Sequence, residues 1–518
     1  MTARTARIRW SVAAVAALAL ASPAAAASPH LAVRAWRQAH EQAILADFKT
    51  FLALPNVATN LADVERNASY IEGELRKRGF ATRRLSAAPG TPPSVFAELD
   101  TPGAKRTVLF YAHYDGQPIA QKGWITAPFT PTLRTALPDS KPVEAAVAAR
   151  SLDPDWRLFA RGSGDDKASI QAMISAVDAL KAAGIKPSVN IKLLYEGEEE
   201  QGSPHFGQIV AQNRDLLKAD ALIMGDGPMH QSGRQMVTFG NRGIVGFTLT
   251  VYGPLNPLHD GHYGSFAPSP SVMLAELIAK LRDEDGLILI PGIYDDVVPP
   301  SPADEAAIAA MPPIEPQLRQ SLGLGRNVGP ARIAEGYLKP TLNVRSIHVG
   351  DDGPDAANAI ATDGFASLDI RLVRGETPAR VRQLVEAYLG SLGWTIVRSA
   401  PDAPTRLAHP KIIRVDWDAG TSIAAKTPLD LPAARAVVAS IGRTVGYAPI
   451  ELPTSGGSSG IAEVVDQLQT PMIGVSIANY DDNQHARNEN LRLGNLWDGI
   501  EVYAGLIADL DWPSRPAR

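Results

Sequence analysis

The sequence predicts an α/β fold with a smaller α+β domain inserted into it. From residue 30 onward, short apolar runs typical of buried strands alternate with amphipathic helical segments, which is the pattern of an α/β core. In the middle of the chain, the strands instead alternate apolar and polar residues, as half-exposed strands do. The chain has 518 residues, 45% of them hydrophobic and 20% charged, which is enough for a large core and a further domain.

The N-terminus has the composition of a cleaved secretory signal peptide, which we assign to residues 1–27. A cationic stretch, a short apolar stretch and a small-residue cleavage site follow one another: Arg4, Arg7 and Arg9, then Trp10 to Ala21, then Ala24 to Ala27. Because a membrane-spanning helix needs about 20 apolar residues, an uncleaved anchor is the weaker alternative. The sequence predicts a secreted or periplasmic protein with no membrane attachment after cleavage.

Regular spacing of apolar residues defines the elements of the predicted core. Apolar residues recur at helical spacing from Lys167 to Ala183, and Gly184 marks the end of this helix. Four buried strands and a last helix complete the core: strands Thr107–Tyr111, Val189–Tyr195, Ala221–Met224 and Pro471–Ile477, and helix Leu491–Leu510. Together they predict a central sheet flanked by helices.

The alternating segments in the middle predict the inserted domain, at residues 246–425. Phe247–Val251 and Leu368–Leu372 are its clearest strands, and the second places Asp369 and Arg371 on one polar face. A helix that begins with a Thr-Pro cap follows. Half-exposed strands covered by helices on one side are typical of a small α+β domain.

The segments on either side of this insertion, 28–245 and 426–518, form the two parts of the predicted catalytic domain. Two stretches, 134–154 and 291–316, have no regular period and are rich in turn-forming residues. We expect both stretches to be surface excursions.

Composition excludes several classes of function. Lys and Arg number 50 against 55 Asp and Glu, and the net charge of −5 leaves no basic excess for a phosphate backbone, so we expect no nucleic-acid partner. The chain has no cysteine, which excludes disulfides, thiolate zinc ligands and cysteine nucleophiles. Any metal must therefore be held by His, Asp and Glu.

Polar residues that could hold a metal follow the predicted strands. His113 and Asp115 come directly after the first strand, and the pair Glu199-Glu200 comes after the second. Asp165 lies just before the helix at Lys167. Taken singly, each position has an ordinary structural explanation: a turn, a helix N-cap or a solvated acidic face.

These positions are harder to explain as structure alone when they are taken together. Asp226 ends the third strand and His485 follows the last one, so all of them are expected at the sheet edge where open α/β folds bind ligands. Histidines and carboxylates without sulfur suit a dinuclear zinc hydrolase. At such a site, one of two adjacent carboxylates binds metal and its neighbour acts as general base.

The order of the motifs resembles a known family. His-x-Asp-x-x-Pro, Asp-Asp-Lys, Glu-Glu-x-Gly-Ser, Asp and His are similar to the motifs of the dinuclear zinc peptidases of family M20. These include carnosinase, glutamate carboxypeptidase, acetylornithine deacetylase, succinyl-diaminopimelate desuccinylase and aminoacylase. The resemblance runs from about residue 35 to the C-terminus. It is nearest to carnosinase-type dipeptidases, because Leu258-His259-Asp-Gly-His-Tyr-Gly is similar to a segment whose histidine reaches a neighbouring active site.

The resemblance implies a metal site with two Zn²⁺ per subunit, for which Co²⁺ or Mn²⁺ could substitute. His113 and Asp226 would hold one ion, Glu200 and His485 the other, and Asp165 would bridge them. It also implies that the peptide bond between Asp165 and Asp166 is cis.

The resemblance further implies the roles of the groups around the metals. Asp115 would orient His113, Glu199 would be the general base, and His259 would stabilise the oxyanion. The substrate would be held by Arg371, Asn358 and the turn Gly456, Gly457 and Ser458. A homodimer formed through the inserted lid domain would bring His259 to the partner's site.

The remaining histidines have no counterpart in the family motifs. We expect surface or structural positions for His30, His40, His205, His230, His262, His348 and His409. They serve as a control for the assignment of His113 and His485 as metal ligands, because we expect none of them to hold a metal ion.

The sequence and the resemblance together predict a hydrolase, specifically a zinc metallopeptidase of dipeptidase or carboxypeptidase type that acts on small peptides. An N-acyl-amino-acid amidohydrolase that uses the same site is the alternative. A third hypothesis is a periplasmic peptide-binding protein without turnover, but such a protein has no use for Glu199 beside Glu200.

Overall fold

The computed structural model describes residues 29–119, 122–135, 152–351 and 353–513. The predicted signal peptide and most of the predicted excursion at 134–154 lie outside these residues. The helices are α1 (Pro29–Leu52), α2 (Leu61–Lys77), α3 (Lys167–Ala182), α4 (Phe206–Gln212), α5 (Arg214–Leu217), α6 (Asp260–Tyr263), α7 (Pro270–Leu281), α8 (Pro302–Ala310), α9 (Glu315–Ser321), α10 (Ile333–Gly336), α11 (Pro378–Ser391), α12 (Ala403–Ala408), α13 (Pro432–Val445), α14 (Ile461–Leu468) and α15 (Leu493–Asp509).

The strands alternate with these helices at both ends of the chain, as the sequence predicts. They are β1 (Ala81–Leu85), β2 (Ser94–Leu99), β3 (Thr107–His113), β4 (Thr132–Arg134), β5 (Arg157–Phe159), β6 (Asn190–Glu196), β7 (Ala221–Met224), β8 (Met236–Thr238), β9 (Gly240–Asn241), β10 (Gly243–Tyr252), β11 (Leu258–His259), β12 (Thr341–His348), β13 (Ala359–Ile360), β14 (Asp363–Leu372), β15 (Thr395–Val397), β16 (Ile412–Ser422), β17 (Ala425–Lys426), β18 (Ile450–Leu452), β19 (Met472–Gly474) and β20 (Asn490–Arg492). The predicted strand at 471–477 is thus shorter than expected.

The larger of the two main sheets has the strand order β1-β2-β6-β3-β7-β19-β8-β18. Strand β3 pairs in parallel with β6 and β7, whereas β2 pairs antiparallel with both β1 and β6. The sheet is therefore mixed, and the predicted fold class is confirmed. Because β3 is covered on both faces, Val108 to His113 are all buried, which explains its continuous apolar sequence.

Helices cover both faces of this sheet. Val95 and Ala97 belong to a core shared with α1, α2, α3, α13 and α15, whereas Phe96 packs on the opposite face with α4 and α14. This alternation follows the two-residue period of a strand. The sheet is thus the middle layer of three, and the carboxyl ends of its parallel strands remain open for a site.

The second sheet has the strand order β12-β14-β10-β16-β15. Helices α7 and α11 pack on one of its faces, over a core that includes Phe247, Leu249 and Leu368. Asp369 and Arg371 share the other face, where Nε of Arg371 donates to Oδ1 of Asp369 at 3.2 Å. This sheet begins at Gly243 and its last long strand ends at Ser422; the predicted boundaries at 246 and 425 stay a prediction.

The prediction that residues 291–316 form a surface excursion is wrong for the second half of this segment. Helix α8 packs there against the large sheet, and Ile308 and Met311 are buried with Ile450 and Leu452. Nζ of Lys426 also donates to Oδ1 of Asp304 at 2.6 Å. Two buried apolar residues are too few to produce a helical period in the sequence, so the packing is visible only in three dimensions.

Among the described residues, none of the helices combines the length and the apolar composition that crossing a membrane requires.

Candidate metal centre and active site

The predicted metal ligands come together at the carboxyl edge of the large sheet. His113 is the last residue of β3, and Asp226 lies two residues beyond β7. Glu199 and Glu200 lie in a single 3₁₀ turn after β6. Parallel neighbouring strands end at the same edge, so side chains that are distant in sequence meet there.

Two groups of three side chains could each hold a metal ion, and Asp165 belongs to both. One group is His113, Asp165 and Asp226, and the other is Asp165, Glu200 and His485; within each group the ligand atoms lie within 4.8 Å of one another. Nε2 of His113 is 2.8 Å from Oδ1 of Asp165. Nε2 of His485 is 3.1 Å from Oδ2 of Asp165 and 3.2 Å from Oε2 of Glu200.

The pKa values in this cluster indicate that its buried negative charges need nearby cations. Burial, together with the charge of Asp165, raises the pKa of Asp226 to about 6. Burial also raises the pKa of Glu199 well above its ordinary value, with further contributions from Asp226 and Glu200. Hydrogen bonds to Asp165 and Glu200 raise the pKa of His485 to about 11.

Among the described residues, lysine and arginine do not balance the negative charge of this cluster. In the part of the chain that the structure describes, no Lys or Arg forms an ion pair with Asp165, Glu199, Glu200 or Asp226. Oδ2 of Asp165 is buried, and the neighbouring polar group is Nε2 of His485 at 3.1 Å. Divalent cations would supply the missing positive charge, and the imidazole and carboxylate donors fit zinc. The residues present therefore fit the implied pair of metal ions.

Asp115 supports this cluster from two sides. Its Oδ1 lies 3.5 Å from Nδ1 of His113. Its two carboxylate oxygens also accept hydrogen bonds from the backbone N–H of Glu199, at 3.1 Å, and of Glu200, at 3.0 Å. One buried carboxylate thus connects the end of β3 to the turn that carries the general-base candidate.

The peptide bond between Asp165 and Asp166 is cis, so this prediction is confirmed. Asp166 does not cap the backbone of α3; its Oδ1 accepts from Oγ of Ser169. Lys167 is fully buried, and its Nζ donates to the carbonyl oxygens of Phe51 and Leu54 near the end of α1. The Asp-Asp-Lys motif therefore combines a candidate metal ligand with two structural residues.

Glu489 is a site residue to which the sequence analysis gives no role. Its buried carboxylate accepts from the backbone N–H of Gly162, Gly164 and Asp165, at 2.9 to 3.0 Å. Arg161 pairs with it at 2.8 Å. Glu489 thus holds the loop that carries Asp165, the residue common to both candidate ligand groups. Its proximity in sequence to His485 was the only local signal.

The cluster opens into a cavity of about 1200 Å³, whose walls include Arg371, Gly456, Gly457 and Ser458. Nη1 of Arg371 donates to Oγ of Ser458 at 2.9 Å. These four substrate-binding candidates therefore share one cavity with the metal ligands.

His259 and Asn358 lie elsewhere, outside the walls of this cavity. The side chain of His259 is 58% exposed. The carbonyl of exposed Asn358 accepts from the N–H of Asp260, and β11 pairs with β13 beside it. The two residues are thus neighbours on the lid, and the fold does not bring them to the metal ligands of their own chain.

His230 differs from the other control histidines because it is buried and lines the cavity. Its Nδ1 accepts from the backbone N–H of Ser232 at 3.1 Å. The prediction of a surface or structural position is therefore incomplete for His230. This residue makes a structural hydrogen bond, and it also forms part of the cavity wall. Burial, which lowers its pKa, favours the neutral ring.

Residues 109–509 match the family model described as Peptidase family M20/M25/M40. The chain belongs to this family. It is therefore a hydrolase, as predicted, and the hypothesis of a binding protein without turnover is wrong. Members of this family depend on metal, so the two candidate ligand groups are consistent with the chemistry of the family.

Individual relatives agree with this assignment. The chain is 26% identical over 426 residues to Cys-Gly metallodipeptidase dug1 of Schizosaccharomyces pombe, which covers 81% of this chain and 83% of the relative. It is 25% identical over 433 residues to the human Beta-Ala-His dipeptidase, covering 81% and 78%. Among solved structures, an M20 family metallo-carboxypeptidase of Sulfolobus solfataricus superposes with a TM-score of 0.75 at 26% identity, covering 90% of this chain and 99% of that chain.

Proposed function

We propose that the protein is a secreted or periplasmic dipeptidase that uses two zinc ions. The observation that carries this proposal is the shared cavity: two ligand groups joined by Asp165 lie beside Glu199, and Arg371 and Ser458 line the same space. The names of the similar proteins, a Cys-Gly metallodipeptidase and a Beta-Ala-His dipeptidase, support a dipeptide as the substrate.

Glu199 is the general base in this proposal. It is not needed to complete either ligand group, and it lies one residue from the ligand Glu200. When bound, zinc ions activate water and polarise the scissile carbonyl. Glu199 takes the proton of the attacking water and delivers it to the leaving amine, and its raised pKa suits a group that must both accept and return a proton.

Arg371 and the turn at 456–458 bind the carboxylate of the leaving group in this proposal. An arginine gives charge-assisted hydrogen bonds to a carboxylate. The hydroxyl of Ser458, which Arg371 contacts, lies beside the same position.

His259 and Asn358 serve the active site of a partner subunit, and the assembly is a homodimer formed through the lid. Both residues are exposed on the lid and lie outside the cavity of their own chain. Their neighbours include the exposed aromatic residues Tyr263 and Phe266, and Phe266 is 86% exposed. Neighbouring exposed aromatic side chains support an interaction surface here, and a two-fold dimer would use the same surface on both subunits.

Secretion is the part of the proposal that rests on residues 1–27 alone. The test is N-terminal sequencing of the protein recovered from a bacterial periplasmic fraction. A mature N-terminus at or near Ser28 supports cleavage, whereas a full-length chain in the membrane or cytoplasmic fraction contradicts it.

The test of the activity is a hydrolysis screen of dipeptides and of matched N-acyl amino acids, with Zn²⁺, Co²⁺ and Mn²⁺ each supplied to metal-free protein. We expect dipeptides to be cleaved with higher kcat/KM than N-acyl amino acids. The opposite order would favour the deacylase alternative at the same site. No hydrolysis of either class, by protein that has bound metal, would refute the proposal.

A further inference from the structure

Arg242, between β9 and β10, holds the Gly456-Gly457 turn through three hydrogen bonds. Its Nε and Nη2 donate to the carbonyl oxygen of Gly456, at 3.0 and 2.8 Å. Its backbone N–H donates to the carbonyl oxygen of Gly457 at 3.0 Å. Nη1 is held in turn by Oγ1 of Thr341 at 3.1 Å. The Arg242 side chain is buried, with the residue 9% exposed.

This arrangement determines where the N–H groups of the turn point. In a trans peptide unit the C=O and the following N–H point in opposite directions. Because the carbonyls of Gly456 and Gly457 both face Arg242, the N–H groups of Gly457 and Ser458 face away from it. Neither N–H has an acceptor within the described part of the chain. Successive free N–H groups of this kind form an anion-binding concavity.

The two glycines show which side of the turn is closed and which is open. A Cβ at Gly456 would lie 2.7 Å from the ring of Tyr337, whereas a Cβ at Gly457 would meet nothing within 4 Å. Tyr337 also stacks on the guanidinium of Arg242 at 5.5 Å. Arg242 and Tyr337 therefore support one side of the turn, whereas the side at Gly457 is open, and the turn and both supporting residues line the cavity.

The charges around the turn fit one anion. Residues 453–460 contain no charged side chain. The guanidinium of Arg242 forms no ion pair with a carboxylate of the described residues, and Arg371 pairs only with Asp369. Burial, together with the nearby charge of Arg371, lowers the pKa of Arg242 to about 10. Two cations against one carboxylate leave an excess of positive charge beside the free N–H groups.

We propose that Arg242 is a positioning residue that makes the site selective for substrates with a free carboxylate on the leaving group. It holds the turn so that the N–H groups of Gly457 and Ser458, together with Arg371, receive that carboxylate. Arg242 thereby sets how strongly the site prefers a dipeptide over its C-terminal amide. This inference rests on the proposed function, because it concerns the leaving-group side of the same site.

The experiment compares kcat/KM for a dipeptide and for its C-terminal amide, in the metal-loaded wild type and in Arg242→Lys. Lysine keeps the charge but cannot make the paired hydrogen bonds of a guanidinium. We expect the wild type to prefer the free acid and Arg242→Lys to reduce that preference by about tenfold, mainly through a higher KM. Metal content should stay within about twofold, and amide hydrolysis should fall by much less than hydrolysis of the free acid.

The matched control is Arg234→Lys. Arg234 also donates to a backbone carbonyl, that of Ala448, and stacks on an aromatic ring, that of Tyr447, but it lies outside the cavity walls. This variant should keep the wild-type preference. If Arg242→Lys does not fold, Thr341→Val removes one anchor of Arg242 and should shift the preference in the same direction.

The possible outcomes distinguish a failure of the Arg242 proposal from a failure of the proposed function. An Arg242→Lys enzyme that retains the wild-type preference, or that loses both activities in proportion, overturns the role of Arg242. A wild type that cleaves acid and amide equally also overturns it, and still leaves a hydrolase. A metal-loaded wild type that cleaves neither substrate refutes the proposed function itself.

Discussion

The carboxylate of Asp115 accepts a hydrogen bond from the backbone N–H of Glu199 at 3.1 Å. The same side chain lies 3.5 Å from His113, so the general-base candidate and a candidate metal ligand are held by one buried group. The sequence motif around His113 suggests only the second of these contacts. The first depends on the pairing of β3 with β6, which brings the two strand ends side by side.

Replacement of Glu199 by Gln should leave metal binding intact and lower kcat by a factor of about 10² to 10⁴, the usual contribution of a general base. Glu200→Gln should instead weaken one metal site, because Glu200 belongs to a ligand group. Steady-state kinetics combined with metal analysis separates the two effects. Near-normal turnover of Glu199→Gln with full metal content would show that the assigned roles are wrong.

Removal of metal should destabilise the folded protein as well as abolish activity. Without cations, the buried carboxylates around Asp165 repel one another, so a chelator should lower Tm by several degrees, and added Zn²⁺ should restore it. We expect about two ions per chain in the wild type and about one in His485→Asn. His409→Asn, at an exposed position without a ligand role, is the control and should retain both. An unchanged Tm after chelation would contradict this prediction.

Mixing two inactive variants tests whether His259 acts across the dimer. In a mixed dimer of His259→Ala and Glu199→Gln, one site carries both lesions and the other carries neither. Activity should therefore return, up to about half that of a wild-type dimer. Mixing Glu199→Gln with Glu200→Gln is the control, since each site of that dimer keeps a lesion. If the subunits exchange and the first mixture stays inactive, His259 acts within its own chain.

Glu376, in the turn between β14 and α11, should make stability depend on pH. Its Oε2 accepts from the N–H of Val373 at 2.7 Å, and Oε1 is buried without a partner among the described residues. Burial, with a smaller contribution from Asp296, raises its pKa from 4.5 to about 7. Because the folded state favours the protonated form, this contribution is fully present below pH 4.5 and is lost as pH rises through about 7.

Glu376→Gln tests this pH dependence, since glutamine keeps the acceptor for Val373 and cannot ionise. Chemical denaturation should find the variant and the wild type similarly stable near pH 4.5. At pH 8 the variant should be more stable, by about 3 kcal/mol at most. A constant difference between the two proteins across this range would contradict the raised pKa.

The candidate metal ligands that the structure brings together could be selected from the sequence because local features mark their positions. His113 ends the apolar strand β3, Asp226 lies two residues beyond the apolar strand β7, and Asp165 precedes helix α3. The contacts of Glu489 and Arg242 could not be predicted from the residues next to them in the sequence. Glu489 meets the N–H of Gly162 across 327 positions of sequence, and Arg242 meets the carbonyl of Gly456 across 214.

The sequence by itself determined the fold class, the strand ends that carry His113 and Asp226, and the family to which the chain belongs. These properties follow from apolar periodicity and from short motifs, both of which are local. Only the tertiary structure decided that Asp115 holds the Glu199 turn, that Arg242 supports the turn at Gly456, and that His259 lies away from its own metal ligands. Such relationships depend on strand pairing and packing between distant segments, and no period or spacing along the chain records them.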